Sequence, residues 1–260
     1  MELPFYRINA FTGTGKLGNP AGICLPDESL DPDKMQEIAR NLDLPATVFY
    51  YPHLNNQIRW FTPQIEIQLC GHGTLALSHL LLNVLNKNED SIEYSTAFGD
   101  VLKAQKSSDQ IELDFPAIIL TELPVDKRLE EALGVNILKS FSGSRPIVLL
   151  ESAEAVKKVK PNFELLFELF DGIGVTAAGD GIEADIVSRC FYKTVSNFED
   201  PVTGSLHCAL SPLWFQLSGK TKLKAYQASE RGGILTTELQ DDRILLKATA
   251  ELIVAGTIHV

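Results

Sequence analysis

The chain echoes itself at half its length. Arg59-Trp60-Phe61 recurs as Arg189-Cys190-Phe191, an offset of 130 residues, and Gly73-Thr74-Leu75 recurs as Gly204-Ser205-Leu206, an offset of 131. In each half an Arg-x-Phe segment is followed, 14 or 15 residues later, by a Gly-hydroxyl-Leu step into an apolar stretch. Two matches in the same order read as an internal duplication. A chain of 260 residues has room for two modest cores of this kind. The implied fold class is α+β: two pseudo-symmetric halves, each a barrel-like, strongly curved sheet around one buried helix. The boundary is expected in the Pro-containing stretch 116 to 126, which sets the halves at 1–115 and 116–260, with the last strand free to return to the first half.

Local patterns supply the elements. "FYRINAFT", "TVFYY", "QIRWF", "SIEYS", "VLKAQKS" and "IELDF" in the first half, and "GVTAAG", "EADIVSRCFYK", "KLKAYQ", "GILTTEL" and "RILLKA" in the second, carry the β-branched and aromatic enrichment of strands. "DPDKMQEIARNL" opens with an Asp and a Pro in helix-starting positions. "GTLALSHLLLNVL" and "TGSLHCALSPLWFQL" are apolar nearly all round, so each is expected to be a helix surrounded by protein, the second bent at Pro212.

The net charge of −11 opposes binding to nucleic acid or to an anionic membrane surface. No apolar run approaches the length of a membrane span. The start, "MELPFYRINAF", lacks a signal-peptide pattern, which points to the cytoplasm. Cys24, Cys70, Cys190 and Cys208 lie at no metal-ligand spacing and are expected to be free and buried.

Several stretches carry candidate chemistry. "GTGKLG" (13–18) matches GxGxxG, but the following "NPAGICLP" is strand-like, so no helix opens on the third glycine and a hairpin loop is expected instead of a dinucleotide site. "LCGHGT" (69–74) sets His72, a group able to move protons near neutrality, between Gly71 and Gly73 at a helix start. His79 and His207 lie inside apolar helices and are expected to be core residues. "EDPVTGS" (199–205) puts two acids before a tight turn and hydroxyls, more than a helix cap needs. If the halves face each other, both helix N-termini point into the cleft between them, where free N–H groups suit an anion. Glu199 beside Asp200 is placed to raise the pKa of that acid. "QASERGG" (227–233) reads as a hairpin, with Arg231 able to reach an anionic ligand.

Taken together, "INAFTGTGKLGNPAGICLP", "RWFTPQIEIQLCGHGTLALSHLL", "VTAAGDGIEADIVSRCFYK", "NFEDPVTGSLHCALSPLW" and "QASERGGIL" resemble the PhzF-like family, in family order and over nearly the whole chain. The resemblance implies two diaminopimelate epimerase-like halves, a homodimer, no metal or organic cofactor, and an isomerase acting on a small carboxylate-bearing molecule. It places the catalytic histidine, aspartate and serine on His72, Asp200 and Ser205. Asn19 and Pro20 match the Gly-Asn-Pro loop, and Asn19, Gly71, Gly73, Thr203 and Gly204 are expected to bind substrate. The sequence departs from the family at the base: "NLDLPATVF" puts Ala46 where family members carry a glutamate. Asp43 and Glu66 are the nearby carboxylates in sequence, and Gln68 replaces another frequent acid. Cys70 matches the first cysteine of the related epimerases, but the second falls near Pro201, which opposes a two-cysteine racemase. The competing readings are a non-catalytic binding protein on the same fold, and hydrolase or lyase chemistry in the same cleft.

Overall fold

The computed structural model describes residues 2–260 except 86, 87, 144 and 182, and Ser196 by its backbone only. The chain divides into two compact units, one of residues up to Phe115 together with Leu246–Val260, the other Pro116–Leu245.

The first unit is a closed barrel of eight described strands with one strand added at its side. Its strands are β1 (Glu2–Thr12), β2 (Asn19–Cys24), β3 (Ala46–Tyr51), β4 (Gln57–Phe61), β5 (Glu66–Ile67), β6 (Ser91–Thr96), β7 (Val101–Ser107) and β8 (Gln110–Pro116). The final strand of the chain, Arg243–His259, enters this unit at Leu246, follows β8 in the sheet, and pairs antiparallel with β1, Ala10 opposite Ala250. That pairing closes the barrel, and β5 pairs with β4 alone. "GTGKLG" is the expected hairpin: Gly13 and Lys16 exchange backbone hydrogen bonds between β1 and β2. Gly18 there has φ +66°, and a Cβ would stand 2.2 Å from the Ala10 carbonyl oxygen, so only glycine fits.

Two helices cover the two faces of β3, which explains why all six of its residues are buried. Helix α1 (Pro32–Leu42) packs Met35, Ile38 and Ala39 in one cluster with Phe49, Tyr51 and Phe61. Helix α2 (Gly71–His79) packs against β1, β2, β3 and β7 and continues as a wider turn over Leu80–Leu85. It has no polar face to show to water; His72 through Ser78 are all buried. A Cβ on Gly73 would lie 2.9 Å from Val48 Cγ2 and 3.1 Å from Trp60 Cδ1. Val48 therefore points to α2, and alternation puts Ala46 on that same face of β3.

The second unit is built on a sheet and an apolar helix, with three short helices the sequence reading did not expect. Its strands are β9 (Thr121–Leu123), β10 (Lys139–Ser142), β11 (Ile147–Leu149), β12 (Gly172–Ala178), β13 (Ile186–Tyr192), β14 (Lys222–Gln227) and β15 (Gly233–Gln240), in sheet order β15-β14-β13-β12-β11-β10-β9; the closing strand of the chain is β16. Helices α3 (Lys127–Leu133), α4 (Ala153–Lys158) and α5 (Phe163–Leu169) share a core with Val175, Val187 and Phe191. The apolar helix is α6 (Gly204–Ser218). It packs on β14 and β15, and Gly174 of β12 approaches it so closely that a Cβ would stand 2.5 Å from Leu206. Pro212 cannot donate to the Cys208 carbonyl one turn back, and the Ile118 N–H takes that acceptor at 3.0 Å. Among the described residues, no helix is long and apolar enough to cross a membrane.

Candidate active site

The strand that carries Arg-x-Phe does the same work in both units. In the first, Arg59 on β4 donates from Nε and Nη2 to the two oxygens of Glu66, both at 2.7 Å. In the second, Arg189 on β13 donates from the same atoms to Glu199, at 2.7 and 2.9 Å. Arg189 Nη1 also reaches the Val159 carbonyl at 2.7 Å, so it ties α4 to the sheet. The duplicated motif is thus a structural clamp that fixes the loop leading into each apolar helix.

This corrects the reading of the acid pair. Glu199 forms an isolated bridge with Phe191 in extended backbone, so consecutive side chains diverge. Its charge is taken by Arg189. Asp200 is buried, and its Oδ2 accepts from the Thr203 hydroxyl at 2.6 Å. Gln227 of β14 holds the turn from the other side: its Oε1 accepts from the Thr203 N–H at 2.9 Å and its Nε2 donates to the Asp200 carbonyl at 2.8 Å. Ser229 donates to the Pro201 carbonyl at 2.7 Å. In "QASERGG", then, Gln227 and Ser229 brace the EDPVTGS turn, and the expected hairpin follows at Gly232, with φ +64°.

Thr203 is the N-cap residue of α6, yet its side chain makes no capping bond, because its hydroxyl is turned to Asp200. Ser205, the second residue of the helix, accepts from Arg145 Nη2 at 3.1 Å. The Arg145 guanidinium lies 4.9 Å from the Tyr192 ring centre. Asp200, Thr203, Gly204 and Ser205 therefore come together at one helix mouth, joined by Arg145, Tyr192 and Gln227, which the sequence reading missed. Arg145 stands in "SGSRPIV", which has no motif to mark it; Gln227 lay in a marked stretch but without an assigned role.

In the first unit, Cys70 caps α2 by accepting from the Gly73 N–H, and its Sγ lies 3.4 Å from His72 Nδ1. Burial pushes the His72 pKa down to about 4, so the ring is neutral at pH 7. Asn19 opens β2, fully buried and opposite Ala10. Gly73 is required by packing against Val48 and Trp60. Neither acid close to Ala46 in sequence is available as a substitute: Glu66 is held by Arg59, and Asp43 is exposed at the C-cap of α1. Glu112, a buried carboxylate of this unit, pairs with Lys247 at 2.7 Å.

His207 is fully buried, its Nδ1 2.9 Å from the Thr203 carbonyl and its pKa pushed down to about 4, chiefly by burial. The four cysteines form no disulfide and are buried; burial raises Cys24 and Cys208 to about 12 and Cys190 to about 11, so these three stay thiols at neutral pH. Among the described residues, no group of three His, Cys, Asp or Glu side chains could hold a metal ion.

Comparison with known proteins gives a consistent result. The family model described as PhzC-PhzF, phenazine biosynthesis-like protein, matches residues 8–257. A protein of Halalkalibacterium halodurans named an uncharacterized isomerase is 39% identical over 96% of both chains. The crystal structure of a PhzF-family protein from Enterococcus faecalis superposes with a TM-score of 0.93, at 36% identity and over 100% of both chains. A hydroxyproline epimerase from Agrobacterium vitis, 10% identical, shares the fold with a TM-score of 0.66 over 99% of this chain and 92% of its own.

Proposed function

The chain belongs to the phenazine biosynthesis-like PhzC-PhzF family, and we propose on that premise that it is an isomerase that moves a proton within a small carboxylate-bearing metabolite. Asp200 takes and returns the proton. The observation that carries this role is its setting: a buried carboxylate at a helix mouth, oriented by a 2.6 Å hydroxyl bond and braced by Gln227. A carboxylate held in this way at a helix mouth is positioned to act as a general base.

His72 is the second proton-handling group. Cys70 Sγ faces His72 Nδ1 at 3.4 Å, and the neutral ring has one nitrogen that donates and one that accepts a proton. Ser205 and the N–H groups at the start of α6 bind polar groups of the substrate, with Asn19, Gly71, Gly73, Thr203 and Gly204 as further binding positions. No cofactor enters this chemistry. A homodimer in the cytoplasm is the setting we propose for it.

Turnover of trans-2,3-dihydro-3-hydroxyanthranilate by wild type and by Asp200→Asn tests the assignment. Loss of turnover in a folded Asn variant is the expected result; unchanged turnover removes Asp200 from the reaction. One observation favours a second reading, a binding protein without catalysis. Ala46 occupies the family's glutamate position and sits buried on the α2 face of β3, where no carboxylate replaces it from Asp43, Glu66 or Glu112.

A further inference from the structure

Arg145 stands out from the other clamped arginines of the molecule. Arg59 and Arg189 each spend their fork on a carboxylate, and Arg189 adds a backbone carbonyl. Arg145 has one hydroxyl and one ring face: Nη2 donates to Ser205 Oγ at 3.1 Å and the guanidinium stacks 4.9 Å from Tyr192. Its Nε is buried and has no hydrogen-bond partner. The residue as a whole is only partly buried.

Its position compounds this. Ser205 is the second residue of α6, so the guanidinium sits at the positive end of a 15-residue helix, where a cation is disfavoured and an anion is stabilised. The N-cap side chain leaves the first N–H groups of that helix uncapped, since the Thr203 hydroxyl serves Asp200. Ser205 accepts from Arg145, which leaves its own proton to donate outward. A planar fork, a hydroxyl and uncapped backbone N–H groups together match the two oxygens of a carboxylate. The charge of Arg145 also acts on Cys190 and Tyr192, the same two groups that feel Asp200, so the cation and the proposed base share one neighbourhood.

We infer that Arg145 binds the carboxylate of the substrate and sets the specificity of the site for anionic ligands. The inference rests on the isomerase reading for the class of ligand, and Arg145 places the anionic group beside Asp200. An uncharged compound of the same shape leaves the cation facing the helix terminus alone and is discriminated against.

The test uses two stable probes, anthranilate and its neutral amide anthranilamide. Both are titrated by NMR into the full-length wild type and the Arg145→Met, Arg145→Lys and Asp200→Asn variants, following ligand line widths and the Arg145 Nε–H signal. Wild type is expected to prefer the carboxylate by roughly tenfold or more, with a saturable shift of that signal. The preference disappears in Arg145→Met, survives in part in Arg145→Lys, whose charge is kept while its fork is lost, and persists in Asp200→Asn. Wild type that fails to prefer anthranilate, by binding both probes equally or neither, overturns the inference; so does a preference that survives in Arg145→Met. The outcome is separable from the isomerase reading. A carboxylate preference without proton exchange on any dihydro-hydroxyanthranilate sinks the catalysis and leaves Arg145 its role. Exchange that persists in Arg145→Met with unchanged KM does the reverse.

Discussion

Glu199 and Asp200 are neighbours in the chain and partners of different elements: Glu199 is gripped by Arg189 at 2.7 and 2.9 Å, while Asp200 accepts the Thr203 hydroxyl at 2.6 Å. One acid holds the loop in place and the other is presented at the helix mouth. The first half repeats the structural part of this arrangement with Arg59 and Glu66.

The two acids should therefore separate by experiment. Arg189→Ala leaves a largely buried Glu199 unpaired and the Val159 carbonyl without its donor, and is expected to destabilise the protein by about 3 kcal/mol. Asp200→Asn keeps an acceptor for Thr203 and is expected to change stability by no more than about 1 kcal/mol. Urea midpoints of both variants check this; equal losses would contradict the division of labour.

Acid should weaken the fold through its buried imidazoles. His72 and His207 have pKa values held at about 4 in the fold, below the ordinary 6.5 of an exposed ring. Between these values the unfolded chain binds protons that the folded chain does not, so this stability is complete above pH 6.5 and is lost as pH falls toward 4. Each ring is expected to contribute a loss of about 2 kcal/mol by pH 5. A urea midpoint that stays flat between pH 7.5 and 5 would show that the rings are not buried and neutral.

Ala46→Glu should restore a carboxylate on the α2 face of β3. Burial raises the pKa of such a group and makes it a competent base near neutrality. Proton exchange is expected to rise by roughly 10²–10⁴-fold. A folded variant with no gain would show that position 46 does not face the substrate.

Gly73 is expected to tolerate no side chain. In Gly73→Ala the new Cβ meets Val48 at 2.9 Å and Cys70 Sγ and Trp60 at 3.1 Å. A stability loss of about 1–3 kcal/mol follows from such overpacking, read as a lower melting temperature. An unchanged melting temperature would contradict the close packing of α2 on the barrel.

Much of this fold was legible because its signals are long or repeated. The two apolar helices lack a polar face, which only a surrounding sheet can cover, and the Arg-x-Phe echo marks a strand that precedes each in the chain. The three short helices escaped because each has only six or seven residues, fewer than two turns, too few to establish a period. At the site, EDPVTGS announced its turn, but sequence adjacency suggested that Glu199 acts on Asp200, whereas extended backbone sends the two side chains apart. Arg145 was invisible for a different reason. Its partner Ser205 is 60 residues away, and nothing local distinguishes an arginine that meets a helix terminus from one that meets water.

The central claim is that Asp200 moves a proton, and the most direct measurement follows that proton. The wild-type protein is incubated with trans-2,3-dihydro-3-hydroxyanthranilate in D₂O and the ring protons are followed by NMR. Deuterium incorporation or isomer formation above a protein-free control, absent in Asp200→Asn, is the expected result. Ligand line broadening without any exchange would contradict it and leave a binding protein on an isomerase fold.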